Sequence, residues 1–143
     1  MAKKVQVLYT LKKEGVVENP EIVATAMGRE LKSKSDKIPP AYPCEGQTLV
    51  FFVLENYGKL DKKIMEFCKE IVPRRAASVA LVVLGKEDSG DAPALEELFK
   101  ANGVPVVGKC GLAVKKSLFG TAKVSDADVA KAVAFAKDLY EKA

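Results

Sequence analysis

Between Tyr9 and Glu21 the chain reads TLKKEGVVENP, and its residue types are those of an anion seat. Thr10 offers a hydroxyl, Lys12 and Lys13 offer cations, and Gly15 and Asn19 punctuate the stretch before Pro20, a residue suited to the first position of a helix. Free amides at a helix start draw phosphates and carboxylates, helped by the positive end of the helix dipole. The same stretch also carries Glu14 and Glu18, with Glu21 just inside the helix. Those carboxylates suit a helix start on their own account, and they repel a phosphate. Whether the loop at 11–19 holds an anion or only joins two elements decides the function of the chain.

Other chemistries are poorly supplied. The 143 residues contain no histidine, which removes Ser-His-Asp and Cys-His nucleophile schemes and deprives a zinc site of its commonest partner for cysteine. No Gly-x-Ser-x-Gly elbow occurs, and Ser78, Ser89 and Ser117 have no base in the sequence pattern. Cys44, Cys68 and Cys110 are odd in number and widely spaced, which favours reduced thiols in a cytoplasmic chain over a disulfide framework. The net charge of +4 arises from 23 Lys and Arg against 19 Asp and Glu, with only Arg29, Arg74 and Arg75 as arginines. Lysines scattered among acids read as a solvated surface and not as a nucleic-acid face. The longest apolar runs, LVFFVL and VALVVLG, are far short of the roughly 20 residues that span a bilayer.

The elements that position these residues alternate. Val5 to Thr10 reads as a buried strand, and Asn19 as the N-cap of a helix with Ile22, Val23, Ala26, Met27 and Leu31 on its apolar face. Residues 32–47 carry Pro39, Pro40 and Pro43, so any strand there is short and lies at an edge. Thr48 to Glu55 is a continuous apolar strand, followed by a helix with Leu60, Ile64, Phe67, Cys68 and Ile71 in register and Pro73 at its close. Ala77 to Gly85 is another such strand. Asp91 is placed to cap a helix that ends at Asn102-Gly103, and Val104 to Val107 gives a last short strand. Residues 111–124 read as loop, and Ser125 to Asp128 resembles a capping box for a final helix that buries Val129, Ala132, Val133, Ala136, Leu139 and Tyr140. Strands apolar on both faces and interleaved with helices predict one α/β domain over 1–143. Its architecture is three-layer α/β/α, built on a doubly wound, five-stranded parallel sheet. Ligands of such sheets bind beyond the carboxyl ends of the strands, which places loops 11–19, 55–59 and 85–91 together.

At these loops the chain resembles flavodoxins. ENYGKLDKKIMEF (55–67) is similar to their second ring-binding loop and the helix after it. VALVVLGKEDSGDAPALEELFKANGVPVV (79–107) is similar to their third loop, and SDADVAKAVAFAKDLYEK to their closing helix. The resemblance implies strand order 2-1-3-4-5 and FMN bound at the three loops for one-electron transfer to a redox partner protein. It implies Tyr57 as the stacking ring, with a loop aromatic covering a strand end as the alternative reading. Asn56, Tyr57 and Gly58 would then supply backbone near the flavin N5, while Gly85, Asp88, Ser89, Gly90 and Asp91 line the pyrimidine end. Flavodoxins carry Thr-x-Thr-Gly-x-Thr at the phosphate, and here only Thr10 and Gly15 correspond. Lys12, Lys13 and the amides leading to Asn19 are what remains for an anion. Two readings follow: an FMN-binding electron carrier with an altered loop, or a cofactor-less flavodoxin-like binding or regulatory module. A phosphoacceptor receiver is disfavoured, because the first strand ends Leu8-Tyr9-Thr10 without an acidic pair. Flavodoxins are usually acidic, so a basic chain fits an acidic partner better.

Overall fold

A computed structural model describes residues 3–57, 59–86, 90–114, 116–117 and 120–143. The chain runs β1 (Val5–Tyr9), α1 (Asn19–Leu31), β2 (Ser35–Lys37), β3 (Leu49–Asn56), α2 (Lys62–Lys69), β4 (Val79–Gly85), α3 (Asp91–Ala101), β5 (Val106–Leu112), β6 (Lys116–Ser117), β7 (Gly120–Thr121) and α4 (Asp126–Lys142). Strands β1 to β5 form one sheet in the order β2-β1-β3-β4-β5, and every neighbouring pair is parallel. The parallel, doubly wound sheet expected from the alternation of elements is observed, in the strand order that the resemblance implied.

Side-chain alternation explains the layers. In β3, Val50, Phe52 and Leu54 face α2 and α3, while Leu49, Phe51 and Val53 face α1 and α4. All six are fully buried, as are Leu81, Val82, Val83 and Leu84 of β4. A strand with no polar face can rest only between two helical layers. Phe52 meets Phe99 of α3 at a centroid distance of 5.1 Å, and Phe51 meets Phe135 of α4 edge-on at 6.3 Å. Strand β2 is only three residues long, at the sheet edge just before Pro39 and Pro40, where prolines cost no ladder hydrogen bond.

Several boundaries differ from the sequence expectation, each for a local reason. Strand β5 continues past Val107 to Leu112. Its Gly108 and Lys109 hide the strand pattern, yet a Cβ at Gly108 would lie 2.8 Å from Leu139 Cδ1 of α4, so the glycine lets the helix side chains pack closely there. The expected loop at 111–124 contains the small β6–β7 hairpin. Helix α2 begins only at Lys62, with Asp61 as its cap accepting from the Lys63 amide at 2.9 Å, so Leu60 and Ile71 are buried but flank the helix. Asp91 is the first residue of α3 instead of its cap, and its carboxylate accepts from the Leu60 amide at 2.7 Å. Ser125 caps α4 as expected, its hydroxyl accepting from the Asp128 amide at 3.1 Å. The side chain of Asn102, the residue that closes α3, donates to Lys69 O at the end of α2 at 3.2 Å and to Ile71 O just beyond it at 3.0 Å.

Two features of this scaffold generate measurable expectations. Cys44, Cys68 and Cys110 are buried and unbridged. Burial pushes the Cys44 thiol up from its ordinary value of 9.0 to about 11, and burial also raises Cys68. A raised thiol pKa means that the fold holds its proton more tightly than the unfolded chain does. The stability this contributes is complete below about pH 9 and is lost as pH climbs through about 11. A disulfide reagent at pH 8 is therefore expected to leave Cys44 and Cys68 untouched until denaturant is added, and the fall in urea midpoint between pH 8 and 10.5 should be smaller in Cys44→Ala than in the parent. Prompt labelling of the native protein would contradict the burial argument.

The second feature is the junction of β3 and β4 at the carboxyl edge. Asn56 is wholly buried, its amide group donates to Lys86 O at 2.7 Å, and the Lys86 amide donates back to Asn56 O at 2.8 Å. This reciprocal pair forces Gly85 to φ 108, where a Cβ would sit 2.4 Å from Asn56 O and 2.9 Å from Tyr57 Cε1. Gly15 also has positive φ, at 80, but nothing lies within 4 Å of its absent Cβ. Gly15→Ala should cost only the left-handed penalty of about 1–2 kcal/mol. Gly85→Ala adds a clash with fixed backbone and should cost at least about 3 kcal/mol. Urea unfolding of the two variants measures the difference, and equal losses would refute it.

Candidate functional site

The carboxyl edge at β1 and β3, where the strand order reverses, carries an open groove of about 550 Å³. Lys12, Val17, Glu18, Asn19 and Ile22 line it from the first loop and α1, Glu55 from the end of β3, and Lys123 from the segment before α4. A smaller groove of about 290 Å³ lies on the other flank of the same loop, between Lys12, Lys37, Pro39, Asp61 and Ile64. The first loop thus stands as a ridge between two depressions, and what it can hold depends on where its polar groups point.

Of the candidate residues in that loop, Thr10, Lys12, Lys13 and Asn19 each have a bonded partner inside the protein. Thr10 is buried, its amide donates to Val53 O at 3.0 Å, and its hydroxyl accepts from the Glu55 amide at 3.1 Å. That ties the ends of β1 and β3. Asn19, expected as the helix cap, is instead the first residue of α1, because its side chain is spent elsewhere. It donates to Ala122 O at 2.8 Å and accepts from the Val124 amide at 2.9 Å, pinning the chain before α4. The capping position falls to Glu18, which makes no side-chain bond to the helix. Its carboxylate turns back along the loop, where Oε1 accepts from the Lys12 amide and Oε2 from the Lys13 amide, each at 3.1 Å.

Charges in the loop are also matched internally. Lys12 Nζ lies 3.3 Å from Glu55 Oε1 and 5.9 Å from the centre of the Tyr57 ring. The Glu55 side chain is only 8% exposed, so this pair is better shielded from water than an ordinary surface ion pair. Lys37 of β2 hydrogen-bonds Glu14, and that bond raises the lysine pKa above its ordinary value. Tyr9 hydrogen-bonds Glu21 at 3.4 Å, and burial together with the Glu21 charge raises its pKa.

At the second and third loops, Tyr57 donates its hydroxyl to Val114 O at 3.2 Å, and its ring edge packs where a side chain at 85 would go. Asn56 and Gly85 form the β3–β4 junction described above. Gly90 precedes α3 at φ 68, and Asp91 is bonded to Leu60. Gly58, Asp88 and Ser89 lie outside the described residues. The three loops therefore do meet at one edge, with Thr10, Lys12, Asn56, Tyr57 and Gly85 gathered around the ends of β1, β3 and β4. Glu55 and Lys123 are groove residues that the motif reading did not select. A charged residue ending an apolar strand is a usable signal for Glu55. Lys123 has none, because it reaches the groove through the Asn19 contact across about a hundred residues of sequence. Among the described residues no cluster of His, Cys, Asp and Glu could hold a metal, and no helix is long and apolar enough to cross a membrane.

No family model and no curated protein sequence matches the chain. Among solved structures it is similar to oxidised Flavodoxin 2 from Bacillus cereus, with 18% identity and a TM-score of 0.63 over 98% of this chain and 99% of that one. It is also similar to the metal-soaked flavodiiron core of Flv1 from Synechocystis sp. PCC6803, with 13% identity and a TM-score of 0.58; 99% of this chain is covered but only 37% of that one. Identities at this level speak to the backbone and not to ligands. With the parallel order β2-β1-β3-β4-β5, they establish that this chain has a flavodoxin-like fold.

Proposed function

We propose that the chain is a flavodoxin-like binding module that works without FMN and meets its ligand or partner at the groove between Lys12, Glu55 and Lys123. One observation carries this reading: the groups that would have to greet a flavin phosphate are already bonded within the protein. The amides of Lys12 and Lys13 face a carboxylate, Thr10 accepts from Glu55, and both ends of the Asn19 side chain are engaged. A phosphate placed there would meet the carboxylates of Glu18 and Glu55 in the groove lining, which disfavours a dianion. In this arrangement the residues do not fit the phosphate of FMN.

A second reading, FMN-dependent electron transfer, has its own support. The fold likeness to an oxidised flavodoxin extends along nearly the whole chain, and Tyr57 stands at the carboxyl edge beside Lys12 and Gly85. Bound FMN would supply one-electron chemistry there. Lys59, Lys62 and Lys63, beside that edge, would suit an acidic redox partner.

The two readings separate on colour. The purified protein is expected to lack flavin absorption, and titration into micromolar FMN should leave the flavin fluorescence unchanged. Saturable quenching at one FMN per chain would instead support the electron carrier and remove the FMN-free reading.

A further inference from the structure

We infer that the Glu18 carboxylate is a resident occupant of an anion seat formed by the loop after β1, and that it is this side chain which keeps phosphates out. The inference rests on the FMN-free reading above and gives it an atomic cause. Two consecutive amides, Lys12 and Lys13, converge on one carboxylate, one oxygen each, at 3.1 Å. Successive backbone N–H groups pointing into a common space form a concavity for an anion. Here the anion is supplied by the chain itself, six and five residues further on.

Other roles for Glu18 are taken or missing. It does not cap α1 through its side chain. It does not neutralise the neighbouring lysines, because Lys12 Nζ is paired with Glu55 and Lys37 with Glu14. What it does is satisfy the two amides of the exposed loop beside the larger groove, where Lys12 and Glu18 both contribute to the lining. Glu14 provides the contrast. It lies in the same loop and carries the same charge, but its carboxylate is turned outward to Lys37, and it is 75% exposed.

That contrast supplies the experiment. Glu18→Ala and Glu14→Ala each remove one negative charge from the loop, but only the first vacates the amides. The probes are FMN, riboflavin as its phosphate-free counterpart, and inorganic phosphate followed by the amide resonances of residues 12 and 13. Glu18→Ala is expected to bind FMN at least about tenfold more tightly than Glu14→Ala, the yield of a single recovered charge-assisted hydrogen bond. Riboflavin should show no such gain, and phosphate should move the Lys12 and Lys13 resonances only in the Glu18 variant. An equal gain in both variants would reduce the effect to net charge and overturn the inference, as would an equal gain for riboflavin. No gain in Glu18→Ala, with the parent also ignoring FMN, overturns the inference alone. A parent that binds FMN as tightly as the variant overturns both it and the FMN-free reading. Hydrogen exchange on the unmodified protein needs no folded variant: the amides of Lys12 and Lys13 should exchange about tenfold more slowly than those of Glu14 and Gly15, and equal rates would count against the seat.

Discussion

The constraint from which everything else follows is the burial of β3 and β4 on both faces. Phe51 and Phe52 are neighbours in sequence and point to opposite layers, and neither reaches water. Replacing either by alanine would forfeit several kcal/mol on the usual scale of large-to-small core changes. A ribbon of this kind must be clothed on two sides. Parallel strands joined by helical crossovers provide that covering, and they bring the carboxyl ends of β1, β3 and β4 to a common rim. The rim is thus a by-product of core packing, formed whether or not a ligand comes to it.

Such a rim carries an unavoidable surplus of polar groups, because strands stop there and their last amides and carbonyls lose their ladder partners. A ligand can satisfy them, or the protein can. Here the protein does so repeatedly. Asn56 and Lys86 exchange two hydrogen bonds across the ends of β3 and β4, Thr10 binds the Glu55 amide, Asp91 binds the Leu60 amide, and Asn19 holds the chain at 122–124. No buried side-chain polar atom among the described residues is left without a partner. The groove that remains at this rim sets apolar Val17 and Ile22 beside Lys12, Glu55 and Lys123.

How much of this could be read from the chain depended on whether the information was local. The strands LVFFVL and VALVVL declare themselves because nothing but a doubly covered sheet accepts them, and the capping of α4 by Ser125 is visible because cap and amide are three residues apart. Asn19 and Asp91 misled for a common reason. Both are residues that favour caps, but each is recruited by a segment distant in sequence, to Val124 in one case and Leu60 in the other. The length of β5 was hidden by Gly108, whose reason is the proximity of Leu139 and Phe135 in α4. The resemblance also made clear that the loop after β1 has fewer hydroxyls than a flavodoxin phosphate loop. It did not reveal that a side chain bonds the loop amides, since that depends on the direction in which Glu18 turns.

The scarcity of hydroxyls in the loop and the presence of Glu18 are best understood together. Converging amides on an exposed loop bond water when no anion is present, and a carboxylate gives them a charge-assisted partner instead. A carboxylate reaching back from the residue before the helix supplies that partner, and it needs a loop long enough to turn. The stretch from Leu11 to Glu18, with Gly15 at φ 80 in its middle, provides that length. Pro20 fits the same logic: near a helix start it forfeits an amide that a phosphate site would want to keep. The basic side chains do not restore the balance, because Lys12 is committed at both ends, its amide to Glu18 and its ammonium to Glu55. On this view the loop has not simply decayed. It carries an internal carboxylate on its amides, and the rim's chemistry is set by the protein's own residues.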